Sequence, residues 1–328
     1  MVIHRPARPG DTIMSDNGLH HVTAYAGDIQ RNLDFYRRVL GLRLVKKTVN
    51  FDDPSTYHLY YGDEAGRPGT ILTFFPVAHA ARGRIGIGET QETAFRVPRA
   101  SIGWWTHRLI EKGVDHDALV QLFGEPVLRL RDPDGMVLAL VGVDEVAEAA
   151  PAWTGAEVPA EHAIRGFHGV TLLLNEAEPT ARILTGVFGF SEAGRDGAGR
   201  EGAMIRYANG GTLGGYVTLR AVGEFLRGRP GAGSVHHIAF RAKDDAEQAS
   251  MVVDLTGTHG LQVTEQRDRA YFRSVYFREP GGVLFEIATD IPGFAVDEPA
   301  EALGEALKLP TFLEAHRARI EEVLPTIA

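Results

Sequence analysis

An internal repeat is the feature that most limits what this chain can fold into. Residues 18–28 align with residues 234–244, with identities at two adjacent histidines, an alanine and a final aspartate, at a constant offset of 216 positions. Self-similarity of this kind predicts a structural unit that the chain builds more than once. Each copy resembles a strand that ends at an aspartate, and aspartate is a favoured helix N-cap.

The residues after the first copy predict how the unit continues. Four apolar residues at helical spacing share one face: Ile29, Leu33, Tyr36 and Leu40. Gly41 then stands where such a helix would end. Three β-rich runs follow, at about residues 42–51, 57–62 and 70–76. The repeated unit is therefore βαβββ.

Two further copies of the unit lie between these two. One begins near Glu92 and reaches Val143, and the other begins at Phe167 and reaches Leu219. The chain is therefore predicted to be an α+β protein of four βαβββ modules, numbered 1 to 4 in chain order, with a C-terminal helix. That helix is indicated by residues that recur at helical spacing: Leu313, Arg317, Ile320 and Leu324.

These patterns divide the 328 residues into five segments. Residues 1–17 are rich in proline and polar residues, and they are predicted to form a flexible extension. The first half, 18–150, holds modules 1 and 2, and the second half, 166–292, holds modules 3 and 4. Residues 151–165 form a linker that begins with a stretch rich in Pro, Ala and Glu. Residues 293–328 are predicted to be a helical strap on the surface.

Composition excludes several kinds of chemistry. There is no cysteine, so disulfides, iron–sulfur clusters and a thiolate nucleophile are excluded, and any metal ligands must be His, Asp or Glu. The net charge of −9 argues against nucleic acid as a partner, because phosphate binding normally requires a basic surface. The sequence contains neither a run of about 18 apolar residues nor an apolar segment near its start. We therefore expect a cytoplasmic protein with no membrane partner.

The repeated histidines and one carboxylate are the strongest functional signal. Glu286 lies within the apolar run 283–288, where an ionised carboxylate is costly to bury unless a cation accompanies it. His21 and His237 occupy equivalent positions in modules 1 and 4. Two imidazoles and one carboxylate are the ligands that hold non-haem Fe(II) and leave positions open for substrate and O2. A single histidine on a strand is more often a core or rim residue, but the repeat favours a ligand role.

Modules 2 and 3 serve as an internal control for these ligands. Alignment of the last strands places Ala139 where Glu286 stands, and alignment of the first strands places Gly169 where the histidines stand. The last strand of module 1, at residues 70–75, also lacks a carboxylate. We therefore predict three protein ligands and a metal shared by modules 1 and 4. Modules 2 and 3 are predicted to pair with each other without a metal.

The chain resembles the vicinal-oxygen-chelate superfamily, which includes glyoxalases, extradiol dioxygenases and fosfomycin-resistance enzymes built from βαβββ units. The order and spacing of His21, His237 and Glu286, together with residues 268–277, look most like the hydroquinone ring-cleaving dioxygenases. The resemblance implies two cup-shaped half-barrels, an Fe2+ cofactor that Mn2+ could replace, and a small aromatic substrate that reacts with O2. It leaves the ring substituents and the existence of a homo-oligomer open.

The resemblance also implies five further site residues: Arg269, Tyr276, His236, His20 and Thr23. Thr23 is two residues from His21 and so shares its face of the strand. His20 and His236 would face away in regular strands, unless the starts of those strands are distorted. Each candidate has a structural alternative, since the histidines could bond to loop carbonyls, the tyrosine could be a core residue and the arginine could form a surface ion pair. The remaining histidines lack a matched carboxylate and are expected to be structural or exposed: His58, His79, His107, His116, His162, His259 and His316.

Other functions remain open at this point. A glyoxalase or isomerase of this superfamily typically uses four protein ligands with Zn2+ or Ni2+, and the fourth ligand is missing here. A fosfomycin-type transferase uses three ligands but usually has two modules per chain. A metal-free resistance protein could hold an aromatic compound in the cup, although binding alone gives no reason to bury Glu286. The sequence therefore favours the dioxygenase.

Overall fold

The computed structural model describes residues 18–144, 153, 155–197 and 203–327. The predicted extension at 1–17 lies outside the described residues, as do positions 151, 152 and 154 of the predicted linker. Across the described residues the chain forms four βαβββ modules. The α+β class and the modular organisation predicted from the repeat are confirmed.

Modules 1 and 2 follow the same order of elements. Module 1 contains β1 (Leu19–Ala26), α1 (Ile29–Asp34) with a π-helical turn (Phe35–Val39), β2 (Arg43–Asn50), β3 (Asp53–Gly62) and β4 (Ile71–Pro76). Module 2 contains β5 (Glu89–Pro98), a 3-10 turn (Arg99–Ser101), α2 (Ile102–Glu111), β6 (Val120–Leu122), β7 (Glu125–Arg131) and β8 (Val137–Val143).

Modules 3 and 4 repeat that order. Module 3 contains β9 (Phe167–Leu174), α3 (Glu178–Gly186), β10 (Ser191–Asp196), β11 (Met204–Ala208) and β12 (Tyr216–Ala221). Module 4 contains β13 (Val235–Ala242), α4 (Asp245–Val253) with a π-helical turn (Asp254–Thr258), β14 (Arg267–Asp268), β15 (Arg273–Arg278) and β16 (Leu284–Thr289).

The strands form two curled eight-stranded sheets. The first sheet has the order β14-β15-β16-β13-β1-β4-β3-β2, so modules 4 and 1 join through the antiparallel pair of β13 and β1. The second has the order β10-β11-β12-β9-β5-β8-β7-β6, so modules 3 and 2 join through β9 and β5. The pairing of modules 1 and 4 predicted from the ligands is confirmed. Each sheet takes one module from each half of the chain, so the sheets do not correspond to the two halves. The division into halves at 18–150 and 166–292 therefore stays a prediction.

The first helix shows how the local sequence shapes a module. The carboxylate of Asp28 caps the helix by accepting a hydrogen bond of 2.8 Å from a backbone N–H of the first turn. The expected continuous α-helix is wrong over its second half, where the N–H of Leu40 donates to the carbonyl of Phe35 and one extra residue widens the turn. Gly41 ends the helix with a φ of +73°, a left-handed conformation that glycine adopts without strain.

A hydrophobic cluster joins the four modules, and two buried carboxylates link modules that belong to different sheets. Asp132 of module 2 accepts a hydrogen bond of 3.0 Å from the hydroxyl of Tyr36 in module 1. Glu279 of module 4 accepts one of 2.6 Å from the hydroxyl of Thr180 in module 3. Each carboxylate also accepts two backbone N–H groups from the turn that follows it. These bonds fix one sheet against the other.

The C-terminal segment is helical, as the sequence predicted, but its helix is divided. It contains 3-10 turns (Phe294–Val296 and Ala300–Ala302) and two short helices, α5 (Thr311–Glu314) and α6 (Arg317–Val323). The C-terminal helix expected from the sequence is therefore present in two pieces, because His316 between them leaves the helical conformation with a φ of −107° and a ψ of 7°. Leu313, Ile320 and Leu324 still share one apolar cluster with Val49 of β2. In the described part of the chain, every helix is too short or too polar to cross a membrane.

Candidate active site

The central strand pair of the first sheet carries both histidine pairs, and a bulge accompanies each pair. The register slips at His20 in β1 and again at His236 in β13, and each of these is an extra residue in its strand. The starts of both strands are therefore distorted. This is the condition under which we expected His20 and His236 to be able to face the site. Both turn toward the neighbouring histidine, His21 or His237.

Three side chains converge at the centre of this sheet: His21, His237 and Glu286. The Nε2 atoms of the two histidines are 3.2 Å apart. Oε2 of Glu286 lies 2.8 Å from Nε2 of His237 and 3.4 Å from Nε2 of His21. All three residues are buried, and within the described ranges this is the one group of three or more metal-ligand side chains that converges in this way.

The donor set fits a metal ion. Bonds of about 2.1 Å at right angles place neighbouring ligand atoms about 3 Å apart, close to the spacing of these three atoms. Oε1 of Glu286 accepts a hydrogen bond from the hydroxyl of Ser274, whereas Oε2 has no hydrogen-bond partner among the described residues. A buried carboxylate oxygen without a donor is costly, and a cation at the centre of the triad would compensate it.

The protonation states also suit a metal. Burial alone would raise the pKa of Glu286, but contact with His21 and His237 holds that pKa well below its usual range. Burial lowers the pKa of His237, which favours the neutral imidazole near pH 7. Ionised carboxylate and neutral imidazole are the forms that bind metal ions.

Each histidine of the triad bonds to the histidine before it. The Nδ1 atoms of His20 and His21 are 2.9 Å apart, and those of His236 and His237 are 2.7 Å apart. A metal on Nε2 requires the proton of the triad imidazole to be on Nδ1, which then donates to Nδ1 of the preceding residue. This bond holds the ring so that its free lone pair points to the centre of the triad. His20 also has a hydrogen-bond contact with the backbone of Thr289, the last residue of β16.

The triad opens into a cavity of about 380 Å³, within the range of small-molecule sites. Aromatic and polar side chains line it together: His21, Tyr25, Asn50, Phe51, Asp52, His58, Tyr60, Phe75, His236, His237, Thr264, Arg267, Arg269, Phe272, Tyr276, Leu284 and Glu286. Four of the five further site residues suggested by the resemblance are therefore in the cavity wall or bonded to the triad. Thr23 is the exception.

Arg269 and Tyr276 lie together in the cavity wall. Nε–H of Arg269 donates to the hydroxyl oxygen of Tyr276 at 3.3 Å, and its Nη2 lies 3.0 Å from the carboxylate of Asp52. Burial raises the pKa of Tyr276, so its hydroxyl stays protonated. The oxygen accepts from Arg269, so the hydroxyl hydrogen can be donated to an acceptor, and Ser274 is also within hydrogen-bond reach.

Thr23 is buried beside the triad and accepts a hydrogen bond of 2.8 Å from the hydroxyl of Thr73. Thr73 is also 2.8 Å from Nε2 of His58, which the sequence led us to expect as a structural or exposed residue. His58 instead lines the cavity, and its Nδ1 is 2.8 Å from the hydroxyl of Tyr60. His58 has no matched carboxylate that would mark it in the sequence, although His58 and Tyr60 alternate along β3 as residues on one face do.

The chain is similar over nearly its whole length to proteins of known sequence and structure. The family described as "Glyoxalase/Bleomycin resistance protein/Dioxygenase superfamily" matches residues 18–287. "Putative ring-cleaving dioxygenase MhqO" of Bacillus subtilis is 47% identical over 307 residues, covering 94% of this chain and 95% of that protein. "Chlorohydroquinone/hydroquinone 1,2-dioxygenase" of Sphingobium indicum is 36% identical over 318 residues, covering 94% and 95%. The crystal structure of a "putative dioxygenase" from Bacillus subtilis aligns with a TM-score of 0.89 at 46% identity, covering 95% of this chain and 97% of that one.

Proposed function

We propose, from the premise that this chain belongs to the glyoxalase, bleomycin resistance protein and dioxygenase superfamily, that it is an Fe(II)-dependent dioxygenase that opens the ring of a hydroquinone with O2. The observation that carries the proposal is the buried convergence of His21, His237 and Glu286, with one carboxylate oxygen left without a donor among the described residues. The similarity to a relative named for chlorohydroquinone and hydroquinone supports the substrate class.

The triad would hold Fe2+, with Mn2+ as the alternative ion. When bound, the ion would supply the electron transfer between an aromatic hydroxyl group and O2 that ring opening requires. The remaining chemistry belongs to the protein, which must bind the ring, orient it and control its protons. Fe2+ and Mn2+ are favoured over Zn2+ because the reaction requires electron transfer, which Zn2+ cannot support.

A fourth protein ligand is disfavoured by the residue that occupies its place. In the parallel strand pairs, Glu286 of β16 lies opposite Ala239 of β13, and Thr73 of β4 lies opposite Thr23 of β1. Thr73 is therefore the counterpart of Glu286 in module 1, and it has no carboxylate. This supports the three-ligand dioxygenase over a four-ligand isomerase.

Side chains around the triad suit an anionic aromatic substrate. Phe51, Phe75 and Phe272 give the cavity an apolar lining that fits one ring and excludes water. The guanidinium of Arg269 offsets the negative charge of a phenolate, and the hydroxyl of Tyr276 is a proton donor held in the same wall.

Iron content and O2 uptake test this function. Protein prepared anaerobically with Fe(II) should retain about one ion per chain, as a single three-ligand site requires. It should consume O2 with alkyl- or chloro-substituted hydroquinones faster than with catechols, in an oxygen-electrode assay with mass spectrometry of the ring-opened product. Far better turnover of catechol would overturn the substrate class. No O2 uptake with either class would overturn the dioxygenase and favour a protein that only binds aromatic compounds.

A further inference from the structure

A chain of hydrogen bonds connects the cavity wall to the strand that carries His21. The hydroxyl of Tyr60 is 2.8 Å from Nδ1 of His58, and Nε2 of His58 is 2.8 Å from Oγ1 of Thr73. The hydroxyl of Thr73 donates to Oγ1 of Thr23 at 2.8 Å. Tyr60 and His58 line the cavity, whereas Thr23 lies two residues from the triad. These hydrogen bonds have no part in the functions proposed above for the triad and for Arg269.

These hydrogen-bonded residues occupy the position in module 1 that is equivalent to the surroundings of Glu286 in module 4. Tyr60 lies opposite Thr73 between β3 and β4, as Tyr276 lies opposite Glu286 between β15 and β16. In both modules the residue two positions before the tyrosine bonds to the tyrosine's opposite residue: His58 to Thr73, and Ser274 to Glu286. Each module of the first sheet therefore contributes a tyrosine to the cavity wall at this equivalent position.

The hydrogen bond from Thr73 to Thr23 determines which atoms donate in the other two hydrogen bonds. Because the hydroxyl of Thr73 donates to Thr23, its oxygen accepts from Nε2–H of His58. Nδ1 of His58 is then the unprotonated nitrogen, and it accepts from the hydroxyl of Tyr60. The hydrogen of Tyr60 is therefore used, and its oxygen can only accept a further bond.

We propose that the oxygen of Tyr60 accepts a hydrogen bond from the substrate hydroxyl group that is not on the metal. His58 and Thr73 are positioning residues, which hold Tyr60 as an acceptor. The inference rests on the proposed function, because a hydroquinone has two hydroxyl groups and only one of them occupies the metal. An ether oxygen at the second position cannot donate, so the site distinguishes hydroquinone from its monomethyl ether, 4-methoxyphenol.

The test measures binding without turnover. The full chain is loaded anaerobically with Zn2+, and calorimetry gives the Kd of hydroquinone and of 4-methoxyphenol. The unsubstituted protein should bind hydroquinone about tenfold more tightly, the effect of one hydrogen bond in a buried site. Tyr60→Phe should remove this preference. Tyr61→Phe is the matched control, because Tyr61 is adjacent in β3 and its hydroxyl bonds instead to Asn32 at 2.8 Å, outside the cavity; it should keep the preference.

A second pair of variants tests the positioning residues. Thr73→Ser keeps the hydroxyl that accepts from His58 and should retain the preference, whereas Thr73→Val removes it and should reduce the preference. A tenfold preference that survives in Tyr60→Phe would overturn the inference. Equal binding of the two compounds by the unsubstituted protein would also overturn it. Neither result bears on the proposed function, which the O2-uptake assay tests separately. Failure of the unsubstituted protein to bind either compound would overturn the inference together with the proposed function.

Discussion

The two sheets form two cups with the same backbone plan and different contents. In the first, the triad opens into a cavity of about 380 Å³, and in the second only about 20 Å³ remains. Two ion pairs fill that second cup, Glu92 with Arg129 and Glu125 with Arg206 at 2.6 Å. Glu125 also lies 3.2 Å from Nε2 of His168, and burial lowers the pKa of that imidazole. The frame of strands therefore does not by itself create a site. The side chains at a few inward positions decide whether a cup is hollow or closed.

The positions that differ can be identified from the strand register. Arg129 lies opposite Ala139 in the second cup, as Tyr276 lies opposite Glu286 in the first. The carboxylate is absent from the last strand, and Arg129 pairs instead with Glu92 of β5. The buried charge of Glu92 is thus neutralised by an arginine of the same cup.

Gly169 closes a second of the positions that correspond to the triad of the first cup. Glycine stands there where module 1 has His21. A Cβ atom at Gly169 would lie 2.2 Å from the carbonyl oxygen of Tyr216, so no side chain fits without a shift of the backbone. Placing a histidine at this position would therefore require more than a single substitution.

The largest expected effect comes from removing the carboxylate of the hollow cup. Glu286→Ala should reduce retained iron from about one ion per chain to less than roughly a tenth of that, because two imidazoles alone bind Fe2+ weakly. Metal analysis after gel filtration measures the loss, and circular dichroism checks that the fold persists. The matched control is Glu92→Ala in the filled cup, which should retain full iron. Full occupancy in Glu286→Ala would contradict the triad.

The same control variant should show the next largest effect, on stability. Glu92→Ala removes the carboxylate that pairs with the mostly buried Arg129, so the free energy of unfolding should fall by about 3 kcal/mol. Urea unfolding at pH 7 measures this change. Replacing both residues by methionine should restore most of the stability, since apolar side chains of similar volume need no partner. A loss below about 0.5 kcal/mol in Glu92→Ala would mean that the ion pair does not support the filled cup.

The parts of the molecule that the sequence predicted are those that the repeat specifies. The four modules and the pairing of modules 1 and 4 follow from the repeat and the equivalence of His21 and His237. Glu286 was identified separately, by its place in the apolar run 283–288. His58 could not be found in this way, because its place in the cavity depends on the register between β3 and β4. The ion pair of Glu92 with Arg129 joins residues 37 apart in sequence, and neither residue carries a pattern that marks its partner.

The smallest expected effect concerns the carboxylates that link the sheets. Burial raises the pKa of Asp132 to about 6 in the folded chain, whereas an aspartate in an unfolded chain titrates near 3.9. Because the folded pKa is the higher one, folding favours the protonated form. The stabilising contribution is therefore complete below about pH 4 and is lost as the pH rises through about 6. The difference between the two pKa values corresponds to roughly 2 to 3 kcal/mol.

Asp132→Asn tests this contribution without removing the bonds that link the sheets. An asparagine oxygen can still accept the two backbone N–H groups of the following turn, and its amide can donate to the oxygen of Tyr36. Between pH 4 and 6.5 the free energy of unfolding should fall less in the variant than in the unsubstituted protein, by roughly 2 kcal/mol. Burial also raises the pKa of Glu279, so Glu279→Gln should flatten the curve in the same direction. Parallel curves for Asp132→Asn and the unsubstituted protein would show that Asp132 does not titrate in this range. If Glu279→Gln still flattened its curve, the two buried carboxylates that link the sheets would differ in their electrostatics, as the two cups do.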